Sequence, residues 1–186
     1  MNNKTDLLIS TNVNKEPYVK ILTNHKIINL TGESGSGKSY FAKQEFSSNE
    51  YIIIDTDEVF ARYAKSTGIN RELGTFFRNK YSELPSLYEN FDEIYLEMIN
   101  YFKDSNKTLV IDSAQFRNIK DISILKGKII IMRTCIDTCF ERCIQRFKNT
   151  NKDATIENLE LYKSKKSKMY LWYEHLNNFL IKIDKL

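Results

Sequence analysis

The sequence predicts an α/β fold built around a parallel sheet, and three observations predict it. Short apolar runs recur at Ile27–Leu30, Tyr51–Ile54, Leu109–Ile111 and Lys128–Met132, with helix-period segments between them, as buried parallel strands and their crossover helices would read. Directly behind the first run stands Gly32-Glu33-Ser34-Gly35-Ser36-Gly37-Lys38-Ser39, the G-x-x-x-x-G-K-S spacing of a loop that cradles phosphates. The second and third runs end in carboxylates, Asp55 with Asp57 and then Asp112, and the carboxyl ends of such strands are where an open parallel sheet places its ligand crevice. Phe179–Asp184, FLIKID, reads as a fifth strand of edge type.

Composition sets the frame. A chain of 186 residues suffices for one sizeable core, and no Pro/Gly/Ser-rich linker divides it, so residues 1–186 are expected to form a single domain. With 41% apolar and 28% charged residues it has the balance of a globular protein, and no apolar run approaches the ~20 residues of a membrane helix. The stretch Met1–Ser10 has neither a basic start nor a long apolar core, so no signal peptide is expected and a cytoplasmic location follows. The net charge of +4 suits a polyanionic ligand without demanding nucleic acid.

In chain order, residues 1–25 say least. A short helix, Tyr18–Leu22 after Pro17, is expected to lead into the first strand, and Asn3-Lys4-Thr5-Asp6 matches the guanine-reading N-K-x-D pattern but precedes the loop it should follow. The loop itself takes three of the chain's six glycines, because its backbone must adopt positive φ and turn consecutive N–H groups onto phosphate oxygens. Lys38 then reaches the β- and γ-phosphates, Ser39 offers its hydroxyl to Mg²⁺, and a helix over about Lys38–Phe46 adds its positive N-terminal end. Tyr40 follows on that helix and is counted with the cofactor-binding residues.

Asp55 and Asp57, alternating on extended chain, project to one side, with Asp57 farther from the loop by about 6 to 7 Å. Such acids hold Mg²⁺ or take a proton from an attacking hydroxyl; the other reading is a helix N-cap and a solvated acid. Residues 58–106 read as a helical, substrate-binding insert. In it Arg62, Arg71 and Arg78 surround Gly68 and Gly74, and a capping box at Ser86–Glu89 opens a helix with Leu87, Phe91, Ile94, Met98 and Phe102 on its apolar face. For any one of these arginines a solvated surface position is the competing reading.

Asp112, at the tip of a central strand beside the loop, is placed to hold Mg²⁺. Arg117 and Arg133 follow the third and fourth strands and join Arg62, Arg78 and Asp57 as candidate acceptor contacts. The helix over about Ile136–Lys148, within a lid region 134–150, carries Arg142 and Arg146 four apart, able to clamp a transferring phosphoryl group. Cys135, Cys139 and Cys143 share one face of it with Ile136, Phe140 and Phe147; they read as core packing, since His25 and His175 are too distant in sequence for ligand spacing. A last helix from Thr155 shows the stripe Leu159, Tyr162, Lys166, Met169, Tyr173, Leu176, Leu180, and Lys163, Lys165, Lys166 and Lys168 form a basic patch on it.

This order of elements, over Lys26–Asp184, resembles the P-loop kinases grouped with nucleoside monophosphate kinases. Asp112 with Arg117 looks like the D-G-F-P-R element of adenylate kinases, one residue longer and without its Gly and Pro. Asp55-Thr56-Asp57 is similar to the acidic strand end of shikimate kinases, polynucleotide 5′-kinases and zeta-toxin-like kinases, although the G-G-G loop of shikimate kinases is missing. The resemblance implies a three-layer P-loop NTPase fold with a five-stranded parallel sheet of order 2-3-1-4-5. It also implies transfer of the ATP γ-phosphoryl group, with Mg²⁺, to a hydroxyl or phosphate of a small molecule, nucleoside or nucleotide. In it Asp57 would face the acceptor hydroxyl, and Arg142 and Arg146 would be lid arginines. Two other readings stand beside it. A polynucleotide 5′-hydroxyl kinase or nucleic-acid-binding module would use the lysine patch with Tyr170, Trp172 and Tyr173. A regulatory NTPase is disfavoured because Asn151-Lys152-Asp153-Ala154 misses N-K-x-D by one position. The acceptor and the oligomeric state are left open, and no membrane partner is expected.

Overall fold

The computed structural model describes residues 15–61, 67–150, 160 and 166–186. Arg62, Asn3–Asp6, Asn151–Ala154, Thr155, Leu159, Tyr162, Lys163 and Lys165 lie outside them. The described elements are strands β1 (Lys15–Ile21), β2 (Ile27–Thr31), β3 (Tyr51–Asp55), β4 (Thr108–Asp112) and β5 (Lys128–Arg133). The helices are α1 (Lys38–Glu45), α2 (Thr56–Val59), α3 (Gly68–Tyr81), α4 (Phe91–Tyr101), α5 (Ile136–Thr150) and α6 (Lys166–Asp184), with 3₁₀ turns at Ala114–Asn118 and Ile122–Ile124.

The fold is α/β, and the strand periodicity explains why helices lie on both faces of the sheet. Ile28, Leu30, Val110 and Ile130 point one way and pack with Ala42 of α1 and with Phe46, which caps its end. Their alternates Leu109, Ile111, Ile129 and Ile131 point the other way, joining Ile54, Leu73 and Phe77 of α3, Ile94 and Met98 of α4, and Leu176 and Phe179 of α6. β4 and β2 are buried on both faces, which is why their side chains are mainly apolar, with Asn29 in the middle of β2 satisfied by the Lys126 and Lys128 carbonyls.

The sheet corrects the sequence reading in two places. Its order is β1-β5-β2-β4-β3, and only β3, β4, β2 and β5 are parallel; β1 runs antiparallel to β5. The position expected for a fifth parallel strand is therefore filled from the N-terminal side. Tyr18–Leu22 is not a helix: Lys15–Ile21 is an edge strand, where Pro17 needs no ladder partner and sits at a register shift between Lys15 and Tyr18. Phe179–Asp184 is likewise not a strand but the last turns of α6. Its apolar residues satisfy both periods, and the stripe Met169, Tyr173, Leu176, Phe179, Leu180, Ile183, all buried, continues the helical one.

These two segments meet. Tyr18 donates to Asp184 Oδ1 at 3.1 Å, and Lys20 Nζ donates to the carbonyls of Ile183 (2.9 Å) and Asp184 (3.2 Å), a cation on the negative end of α6. The insert also differs in detail: α4 begins at Phe91, so Ser86 bounds a turn, receiving Glu89 N–H at 3.4 Å, instead of opening the helix. Among the described residues no helix is long and apolar enough to cross a membrane.

β5 is entered through Gly127, whose φ is +76° and whose added Cβ would lie 2.1 Å from the Ile27 carbonyl oxygen. Gly68 also has a positive φ (+60°) but open space around it. Gly127→Ala is expected to lower stability by more than about 2 kcal/mol, against about 1 to 2 kcal/mol of backbone strain alone for Gly68→Ala. Denaturant midpoints of the two variants check this; equal losses would mean that the contact with β2 is not tight.

Candidate active site

The loop between β2 and α1 is bent by three glycines with positive φ: Gly32 (+149°), Gly35 (+81°) and Gly37 (+94°), the last being the residue before α1. At Gly35 the requirement is steric as well as conformational, since a Cβ there would lie 2.3 Å from the carbonyl oxygen of Cys139 on α5. Lys38, the first residue of α1, folds its ammonium back over the loop to the Glu33 carbonyl at 3.2 Å.

Side chains of neighbouring elements brace the loop. Thr134 Oγ1 donates to the Ser36 carbonyl at 2.8 Å, and Tyr173 of α6 donates to the Thr134 carbonyl at 2.6 Å. Arg142 Nη1 donates to the Gly35 carbonyl at 3.1 Å, and Cys143 Sγ lies 3.4 Å from Ser34 Oγ. Cys139 is buried against the Tyr173 hydroxyl at 3.0 Å, and burial pushes its thiol up to about 11, so it packs instead of reacting. Thr134 carries no sequence signal of its own, and Tyr173, expected in the core stripe or in an aromatic set for nucleic acid, instead braces the loop through Thr134. An aromatic hydroxyl on an otherwise apolar stripe was the available signal, because a buried phenol needs a partner.

The parallel register sets Asp55 directly beside Asp112 at the carboxyl edge of the sheet. Ser39 Oγ donates to Asp112 Oδ2 at 2.7 Å, across from β4 to the first turn of α1. Asp112 is buried, and desolvation lifts its carboxyl to about 6 although the Lys38 charge and the Ser39 hydroxyl pull it down. Asp55 is held up in the same direction, by burial and then by the Asp57 charge.

The two acids of the D-x-D do not lie on extended chain as expected. β3 stops at Asp55, whose Oδ1 accepts the N–H groups of Asp57 (2.9 Å) and Glu58 (3.3 Å) and so caps α2. Asp57 sits in the first turn of α2, exposed, and its offset from Asp55 is that of a helical turn. The cap is thus Asp55 and the solvated acid Asp57. Thr56 between them anchors the turn to β4, donating to Ser113 Oγ (2.9 Å) and the Asp112 carbonyl (3.2 Å). Among the described residues no three His, Cys, Asp or Glu side chains converge as a metal cage.

A cavity of ≈ 410 Å³ opens above the loop, walled by Gly35, Lys38, Ser39, Tyr40, Asp57, Arg142 and Arg146 among others. A larger one of ≈ 480 Å³ lies at the opposite edge of the sheet, around Lys26, Glu50 and Lys107, away from every strand-end carboxylate. Of the expected acceptor arginines, the described ones, Arg78, Arg117 and Arg133, do not line the cavity over the loop. Arg133 donates to the Glu16 carbonyl at 2.6 Å and fastens β1, while Arg78 reaches the Ala61 carbonyl at 3.3 Å. Arg117 turns under the loop, paired with Glu33 and stacked on Trp172 at 5.0 Å.

No protein-family model matches the sequence, and no curated protein matches it.

Because Asp112 holds its proton more tightly folded than unfolded, raising the pH from about 4 to about 6 removes stability in the ligand-free protein, by about 3 kcal/mol at about 1.4 kcal/mol per pKa unit. Asp112→Asn lacks that loss, so its stability relative to wild type should climb over this window and stay level above it. Chemical denaturation at pH 4.5 and 7 measures the difference; a difference independent of pH contradicts the raised carboxyl.

Proposed function

We propose that this protein is an ATP-dependent phosphotransferase of the P-loop kinase type, moving the γ-phosphoryl group to a hydroxyl or phosphate of a small-molecule, nucleoside or nucleotide acceptor. The observation that carries this reading is the convergence of the glycine loop, Lys38, Asp57, Arg142 and Arg146 on one cavity. An acidic side chain and three basic ones around a loop with left-handed glycines suit a polyphosphate at one end and an acceptor at the other.

In this reading the loop N–H groups and the α1 N-terminus bind the β- and γ-phosphates, and Lys38 leaves the Glu33 carbonyl to meet them. Arg142 and Arg146 neutralise charge that spreads over the equatorial oxygens. Ser39 and Asp112 fit Mg²⁺, since a hydroxyl and a carboxylate held 2.7 Å apart are hard oxygen donors. Asp55, already committed to two backbone N–H groups, is the weaker candidate. Mg²⁺ would supply charge neutralisation at the β- and γ-oxygens. Asp57, exposed in the cavity wall, takes the acceptor proton.

The aromatic set on α6 gives a nucleic-acid acceptor little support. Tyr173 is core, Trp172 is taken up by Arg117, and Lys166 pairs with Asp137 at 2.7 Å, leaving Tyr170 as the exposed member of the aromatic set.

Incubation with labelled ATP and pooled nucleosides, nucleotides, polyols and 5′-hydroxyl oligonucleotides identifies the acceptor, and no transfer to any of them counts against the reading. Lys38→Ala should lower turnover by about two orders of magnitude or more with the fold intact; wild-type turnover in that variant excludes the loop as the site. Asp57→Asn should lower turnover by about 10² to 10⁴ while nucleotide affinity, measured by titration, stays within about threefold. Lost affinity would move Asp57 from the acceptor to the nucleotide.

A further inference from the structure

Glu33 places a carboxylate inside the loop that the proposed function assigns to polyphosphate. Its side chain is 1% exposed; one oxygen meets Arg117 Nη1, and the other, Oε2, is buried without a hydrogen-bond partner. Arg117 is nearly as enclosed, at 6%, its Nε also unpartnered, with Trp172 stacked on the guanidinium at 5.0 Å. It reaches Glu33 from the 3₁₀ turn that follows Asp112, so the cation that neutralises the loop comes from the same β4 end that carries Asp112.

A buried anion here works against the loop's proposed ligand. Glu33's own carbonyl receives Lys38 and the Ser36 N–H (3.0 Å), so its carboxylate lies one residue's span from the groups that would meet phosphate. Unpaired, it would repel phosphate oxygens through a medium of low dielectric, and repulsion grows with the ligand's charge. Replacing both charges by neutral residues removes the conflict, whereas removing the cation alone exposes it.

We propose that Arg117 is a positioning residue, acting through Glu33: it is the counter-ion that keeps the loop electrostatically open to a polyphosphate, and it does not contact the acceptor. This rests on the reading that the loop binds nucleotide. The Trp172 stack holds the guanidinium in place, and lining a shallow hollow with His175 and Lys182 on its far side leaves Arg117 facing away from the cavity over the loop.

The test is nucleotide titration of four proteins: wild type, Arg117→Met, Arg117→Lys, and Glu33→Gln with Arg117→Met. Arg117→Met should weaken metal-free ATP tenfold or more and ADP by less. The double variant should return both to within about threefold of wild type, and Arg117→Lys, which keeps a charge able to sit over the Trp172 ring, should lose less than tenfold. A double variant as weak as Arg117→Met, or equal losses for ATP and ADP, overturns the inference in favour of a packing role. If Arg117→Met does not fold, a tenfold loss in Arg117→Lys or in the double variant overturns it and retention in both supports it. Wild type that binds no nucleotide, or binds it undiminished in Lys38→Ala, overturns the functional reading and this inference with it.

Discussion

A loop made of glycines and serines has little to hold its own shape, and in this protein the shape comes from outside. The approach of Gly35 to the Cys139 carbonyl, too close for any Cβ, seats the loop on α5, and the side chains that brace the loop are arranged about that contact. It brings Arg142 and Cys143, each about one turn along the same helix from Cys139, into reach of Gly35 and Ser34. It also makes α5's own position matter, and that is secured by Thr134 and by the hydroxyl of Tyr173 on α6. The loop, the arginine helix and the last helix are therefore one mechanical unit, joined by hydrogen bonds that together leave few backbone choices.

The two carboxylates at the strand ends show how local chemistry divides roles between identical side chains. Asp55 and Asp112 are register neighbours, yet Asp55 spends its acceptors on the start of α2 while Asp112 offers one oxygen to Ser39. Burial raises both, and only Asp112 has a cation, Lys38, counteracting that lift. A third acid, Asp57, is left outside the strand and in the cavity wall because the chain turns helical at Thr56.

Much of this arrangement was legible from residue order. The four parallel strands showed in their short apolar runs, and the glycine loop in a spacing that serves one backbone geometry. What failed to show was whatever depended on distant partners. FLIKID carries apolar residues at both helical and strand intervals, and only the preceding turns of α6 decide between them. Lys15–Ile21 is a strand because β5 offers a free edge, and nothing local to Pro17 reports that edge. Arg117 looked like a ligand contact for the same reason: its partner, Glu33, lies 84 residues away in sequence and gives no sign there of being turned inward.

β1 pairs with β5 and clasps the last carbonyls of α6, through side chains 163 to 166 residues apart from their partners. During synthesis this strand leaves the ribosome before any of the residues it will bind. The parallel strands β2, β3, β4 and β5 can collapse with their helices while β1 waits, since its one neighbour in the sheet and its tether are made later. Of the five described strands, the earliest made thus finds both its partners made after it, and until β1 is seated the outer edge of β5 stays open to other chains.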